Sequence, residues 1–151
     1  MKNKVLGVSL IAIGLFALLL LTFDWPYKFR QEYDQIVRIE ILAKEEFISG
    51  YYVPMEVVKT LDISEYRIFL DELMKIEGSR VGLDPPSGFG AYIIRITYRN
   101  GEIELISDYN SGYISGDGIV REIYYCMDSD QFYDFLSRVL GEQITEPPFK
   151  W

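Results

Sequence analysis

The chain has 151 residues and a net charge of −8, with no histidine and a single cysteine. The missing histidine excludes a Ser-His-Asp triad, a Cys-His dyad, a His-Glu-x-x-His zinc site and any imidazole base, and Cys126 alone makes neither an internal disulfide nor a thiolate cluster. Charge is uneven: Lys2, Lys4, Lys28 and Arg30 stand against Asp24 in residues 1–30, whereas residues 31–151 hold 11 basic and 22 acidic side chains, a net of −11. A domain that acidic, with no basic stripe, repels phosphate backbones, so nucleic acid is not an expected partner.

Val5 to Phe23 is 19 residues without a charge. As a helix at ~1.5 Å per residue it spans roughly 28 Å, close to the hydrocarbon thickness of a bilayer. Asp24 ends the run, Pro26 removes a backbone donor, and Trp25, Tyr27 and Phe29 suit the headgroup level. The expectation is an N-terminal transmembrane helix. Removal as a secretory signal is the rival fate, but Leu20, Leu21, Thr22, Phe23 and Asp24 lack the small residues a cleavage site needs. Lys2, Lys4 and the amino terminus favour a cytoplasmic N-terminus, with residues 31–151 on the extracytoplasmic face, while Lys28 and Arg30 pull the other way. Residues 1–30 are therefore expected to be the anchor and juxtamembrane segment, 31–144 an α+β domain and 145–151 a tail.

Ile36–Ala43 alternates, with Val37, Ile39, Ile41 and Ala43 on one face and Arg38 and Glu40 on the other, which predicts a half-buried strand. Val57, Val58 and Thr60 suit a second strand over Met55–Leu61. Asp62-Ile-Ser-Glu65 has the spacing of a capping box, and Tyr66, Phe69, Leu70, Leu73 and Met74 follow at helical intervals. Ser79–Gly90, with Pro85-Pro86 and three glycines, reads as a loop.

Residues 91–107 read as a hairpin. Asn100-Gly101 favours a two-residue turn, which sets Arg99 opposite Glu102, Tyr98 opposite Ile103, Thr97 opposite Glu104 and Ile96 opposite Leu105. Residues 108–118 read as a turn carrying Ser111 in an exposed position, and Ile119–Cys126 as one strand. Asp128-Ser-Asp-Gln131 opens a last helix with an apolar stripe of Phe132, Phe135, Leu136, Val139 and Leu140, closed by Gly141. The order β-β-α-β-β-β-α predicts an α+β fold, an antiparallel sheet with two helices packed on one face.

Asp108, Asn110 and Asp117 put hard oxygen donors in a glycine-rich stretch, a pattern that invites calcium. An EF-hand loop wants glycine sixth and glutamate twelfth, where this chain has Tyr113 and Ile119, so turn geometry explains these residues better. Tyr109 and Tyr113 are binding candidates, since tyrosine offers rigid amphipathic area. Ser87 beside Asp84 has neither a P-loop nor a nucleophile-elbow frame. No catalytic residue and no cofactor is assigned. Glu102 and Glu104, on one strand face, are the pair behind an alternative reading, a carboxylate-based hydrolase of cell-wall glycan.

The segments DISEYRIFLDELMKI, YIIRITYRNGEIELIS and DSDQFYDFLSRVL, together with the apolar N-terminus, resemble the small, uncharacterised membrane-anchored or lipoprotein-type extracytoplasmic domains of Gram-positive bacteria. The resemblance implies a tethered α+β domain and carries over no catalytic residue. The chain departs from the lipoprotein members by lacking the lipid-attachment cysteine. The expected function is a non-enzymatic binding or accessory module for a protein, peptide or envelope component, with the membrane as a partner through Val5–Phe23.

Overall fold

The computed structural model describes residues 28–44, 55–80, 90–108, 111–115, 118, 120–123 and 125–144. The Val5–Phe23 run lies outside them, and among the described residues no helix is long and apolar enough to cross a membrane. The described chain is α+β. In order it forms β1 (Ile36–Lys44), β2 (Met55–Thr60), α1 (Tyr66–Leu73), β3 (Gly78–Arg80), β4 (Tyr92–Tyr98), β5 (Ile103–Ile106), β6 (Ser111–Ile114), β7 (Val120–Ile123), β8 (Tyr125–Met127) and α2 (Ser129–Leu140). Short 3₁₀ turns precede β1 at Tyr33–Gln35 and α1 at Ile63–Glu65.

An antiparallel six-stranded sheet runs β2-β1-β4-β5-β6-β7, and β3 pairs with β8 in a separate two-stranded ladder. Ile39 and Ile41 of β1, Ile94, Ile96 and Tyr98 of β4 and Ile106 of β5 share one core with Phe69, Leu70 and Leu73 of α1 and Phe132, Phe135 and Leu136 of α2. The two helices meet there, with the Phe69 and Phe135 ring centroids 5.0 Å apart. Each such side chain contributes about 1.5–3 kcal/mol by leaving water, which makes this layer the main source of stability.

Both helix starts follow from sequence. The Glu65 carboxylate accepts from the Asp62 N–H at 2.9 Å, the reach-back half of the capping box. At α2 the Asp128 side chain accepts from the Gln131 N–H at 2.9 Å, but Gln131 Oε1 accepts from the Glu77 N–H rather than returning to Asp128. The second box is thus half used, and its spare arm ties α2 to Glu77, the residue that leads into β3. Gly141 ends α2 at φ 74°, a left-handed conformation that glycine adopts without strain.

The structure corrects five readings. Val37 is exposed at 47%, because β1 bulges against β4 between Ile36 and Arg38 and buries Ile36 instead. Glu40 is buried on the sheet face away from the core, where Arg95 holds it at 2.8 Å. The expected loop at Ser79–Gly90 begins with part of strand β3, whose Gly78 is needed because the Tyr125 ring would lie 2.6 Å from a Cβ there. The expected turn at 108–118 contains β6, and the expected strand Ile119–Cys126 is two strands in different sheets. Ser111 and Gly112 are small and buried, so β6 has no alternating apolar signal to read.

The hairpin exists in a different register. Thr97 faces Ile103, Ile96 faces Glu104 and Arg95 faces Leu105, one residue away from the expectation. Tyr98 N donates to Glu102 O at 2.9 Å and Gly101 N to Tyr98 O at 3.0 Å, which closes a three-residue loop. Within this loop Gly101 takes positive φ, at 86°, and Asn100 does not. A type I′ turn needs both residues there, whereas a three-residue loop with a bulge needs only the glycine. The slip moves Glu104 to the core face.

Candidate functional site

Residues 28–35 precede β1 and lie as a strap across the end of the β4–β5 hairpin. Phe29 packs on the core and meets the Tyr33 ring edge-on at 6.0 Å. At the next residue the Arg30 N–H donates to Glu104 Oε2 at 3.0 Å. The Arg30 guanidinium lies 3.8 Å over the Tyr113 ring and 3.7 Å from Glu102. Gln31 Nε2 donates to Glu102 Oε2 at 2.7 Å. At the far end, Tyr33 Oη donates to Asp71 on α1 at 3.3 Å.

Glu104 is the centre of this arrangement. It is fully buried, opposite Ile96 on one side and Tyr113 on the other. A carboxylate there is stable only if hydrogen bonds replace its water, and the Tyr98 hydroxyl and Arg30 amide both donate to it. Burial first, then the charge and hydrogen bond of Glu104, push the Tyr98 phenol far above its ordinary range. Hydrogen bonds from Gln31 and then Asn100, aided by the Arg30 charge, hold the Glu102 carboxyl below its ordinary range.

The amide–carboxylate bond contributes about 1.5–3 kcal/mol, the range for a bond to a charged acceptor. The arginine–ring contact, with the Arg30 side chain 39% exposed, adds about 0.5–1 kcal/mol. The pair proposed from sequence for glycoside chemistry, Glu102 and Glu104, therefore faces Tyr98 and Ile96 rather than Arg99 and Thr97, and both carboxylates bind the strap.

Asp108 lies at the other end of β5, 2% exposed. Ser129 Oγ makes a long 3.4 Å contact to its Oδ2. Its Oδ1 packs so close to Gly90 that a Cβ there would stand 1.9 Å away. Nearby, Gly90 N donates to Ser107 Oγ at 3.2 Å and Ser111 Oγ reaches the Tyr125 carbonyl at 3.5 Å, so a polar seam joins β4, β5, β6 and β8. Burial lowers the Lys44 amine against the opposing pull of Asp108, and burial followed by the Asp108 charge raises the Cys126 thiol.

Of the calcium candidates, Asp108 is thus an interior group, and Asn110 and Asp117 lie outside the described residues with Tyr109. Among the described residues no three acidic or thiol side chains gather closely enough to hold a metal ion. Tyr113, a binding candidate from sequence, is the ring beneath Arg30. Tyr98 escaped the sequence reading as a site residue, and Glu104 entered it only as half of a hydrolase pair, not as the buried acceptor of the strap. The readable signal was a lone charge in the otherwise apolar run Ile-Glu-Leu-Ile.

No protein-family model, curated protein or solved structure matches this chain.

Proposed function

We propose that this chain is a membrane-tethered module that holds an acidic α+β domain on the extracytoplasmic face and binds a protein, peptide or envelope component there without catalysis. The observation that carries the reading is the seating of Arg30 and Gln31 on the hairpin, so few residues after the uncharged run. From Asp24 to Arg30 the chain advances six residues, about 20 Å at full extension. A Val5–Phe23 helix left in the bilayer would therefore hold the domain close to the headgroups instead of letting it roam on a linker.

Charge sets the orientation at that distance: the net of −11 beyond residue 30 is repelled by anionic headgroups, and Lys28, next to the anchor, offsets part of that repulsion. The absence of histidine removes the commonest general base, and the strap engages the carboxylate pair that a glycan hydrolase would require. Alkaline carbonate extraction of cell membranes tests the tether. Full-length chain should stay in the pellet, and its release into the aqueous fraction contradicts the reading.

A further inference from the structure

We propose that Tyr98, Glu102, Glu104 and Tyr113 form a docking seat for an arginine-bearing extended segment of a partner chain, and that residues 29–31 fill it in cis. The inference deepens the binding-module reading and rests on it, by naming the partner's chemistry.

Each part of the seat answers a different part of the ligand. The buried Glu104 carboxylate takes a main-chain N–H at 3.0 Å, and the Tyr113 ring takes the flat face of a guanidinium at 3.8 Å. Glu102 at the rim takes the arginine charge at 3.7 Å and the next side chain at 2.7 Å. A planar guanidinium fits this better than a lysine ammonium, because it stacks on a ring and faces a carboxylate at once. The surrounding charge selects the same sign of ligand, since residues 31–151 carry a net of −11.

The cis occupant is held by contacts that can exchange. The strap makes no strand ladder with β5, whose partners are β4 and β6. The Arg30 side chain remains 39% exposed. Attachment to the same chain gives the strap an effective concentration on the order of millimolar. A free peptide at micromolar level loses that competition. A segment confined beside the domain by the same membrane does not, so the partner is a membrane-confined chain with arginine in its first residues outside the bilayer.

The test uses the full chain in lipid nanodiscs and a fluorescent peptide copying residues 27–33, together with the same peptide bearing alanine in place of arginine. Arg30→Ala in the chain should raise affinity for the arginine peptide at least about twofold. The alanine peptide should bind at least about twofold more weakly, and adding Tyr113→Leu should return binding to the unaltered level. Equal binding by the unaltered and Arg30→Ala chains, equal binding of the two peptides, or indifference to Tyr113→Leu overturns the proposal. A second variant, Glu102→Gln at the rim, should speed tryptic cleavage after Arg30 at least threefold and leave cleavage after Lys75 unchanged. No change, or a parallel rise at both sites, overturns it as well. A chain that stays with membranes yet ignores the peptide retires the seat and leaves the tether standing.

Discussion

The Tyr98 hydroxyl donates to the Glu104 carboxylate inside the hairpin, with both side chains buried and Glu104 wholly out of water. Removing the hydroxyl leaves a buried acceptor short of a donor, which costs about 1–3 kcal/mol. Tyr98→Phe should therefore lower stability by that amount at pH 7, read as a fall in denaturant midpoint at constant slope. An unchanged midpoint contradicts the pairing.

The same pair sets a pH dependence. The folded state holds the Tyr98 phenol neutral well beyond the value near 10 at which it ionises when unfolded. A raised folded-state value gives stability that is complete below about pH 10 and lost as pH climbs above it. Stability should fall between pH 10 and 12, and the gap between the native chain and Tyr98→Phe should narrow there. Tyr33 and Tyr92, both raised chiefly by burial, leave a residual slope in the variant. A gap that stays constant from pH 7 to 12 contradicts this account.

Gly90 packs against a carboxylate instead of turning the chain. Gly90→Ala sets a methyl 1.9 Å from Asp108 Oδ1, and relief requires moving a buried acid. Overpacking of this kind costs about 1–3 kcal/mol. Gly101→Ala, with φ 86° and open space around it, isolates backbone strain alone at about 1 kcal/mol. Chemical denaturation of the two variants separates the mechanisms, and Asp108→Ala should rescue only the first.

The Cys126 thiol is half-buried and raised by desolvation and by Asp108. Nucleophilic attack needs the thiolate. At pH 8 the native thiol should react with an aromatic disulfide reagent more slowly than the thiol of the unfolded chain. Equal rates contradict the placement.

Hairpin register is open to a crosslink. With Cys126 replaced by alanine, Thr97→Cys with Ile103→Cys should oxidise readily, since these residues face each other. Thr97→Cys with Glu104→Cys, opposite each other in a two-residue turn, should not. The reverse outcome restores the register expected from Asn100-Gly101.

That slip shows where sequence reading ran out. Alternation located β1, β4 and β5, and helical spacing with caps located α2 almost to the residue and the start of α1, which ends at Leu73 instead of running on to Ile76 and Gly78. The dipeptide Asn100-Gly101 announces a turn but does not state the φ of Asn100, and that angle decides which residues face inward. Strand β6 carries Ser111 and Gly112 where a readable strand has large apolar residues, and its partners on either side supply the order. The strap seat is assembled from Arg30, Tyr98, Glu104 and Tyr113, groups up to 83 residues apart in number, so no local window contains it.

The placement of the domain beyond the membrane is tested most directly by thiol labelling in intact cells. Ser111 is unsuitable as a reporter, being fully buried, whereas Asn100 stands exposed in the hairpin turn. With Cys126 replaced by alanine, Asn100→Cys should react with a membrane-impermeant maleimide before lysis to the same extent as after it. Labelling that appears only once the cells are broken contradicts the account.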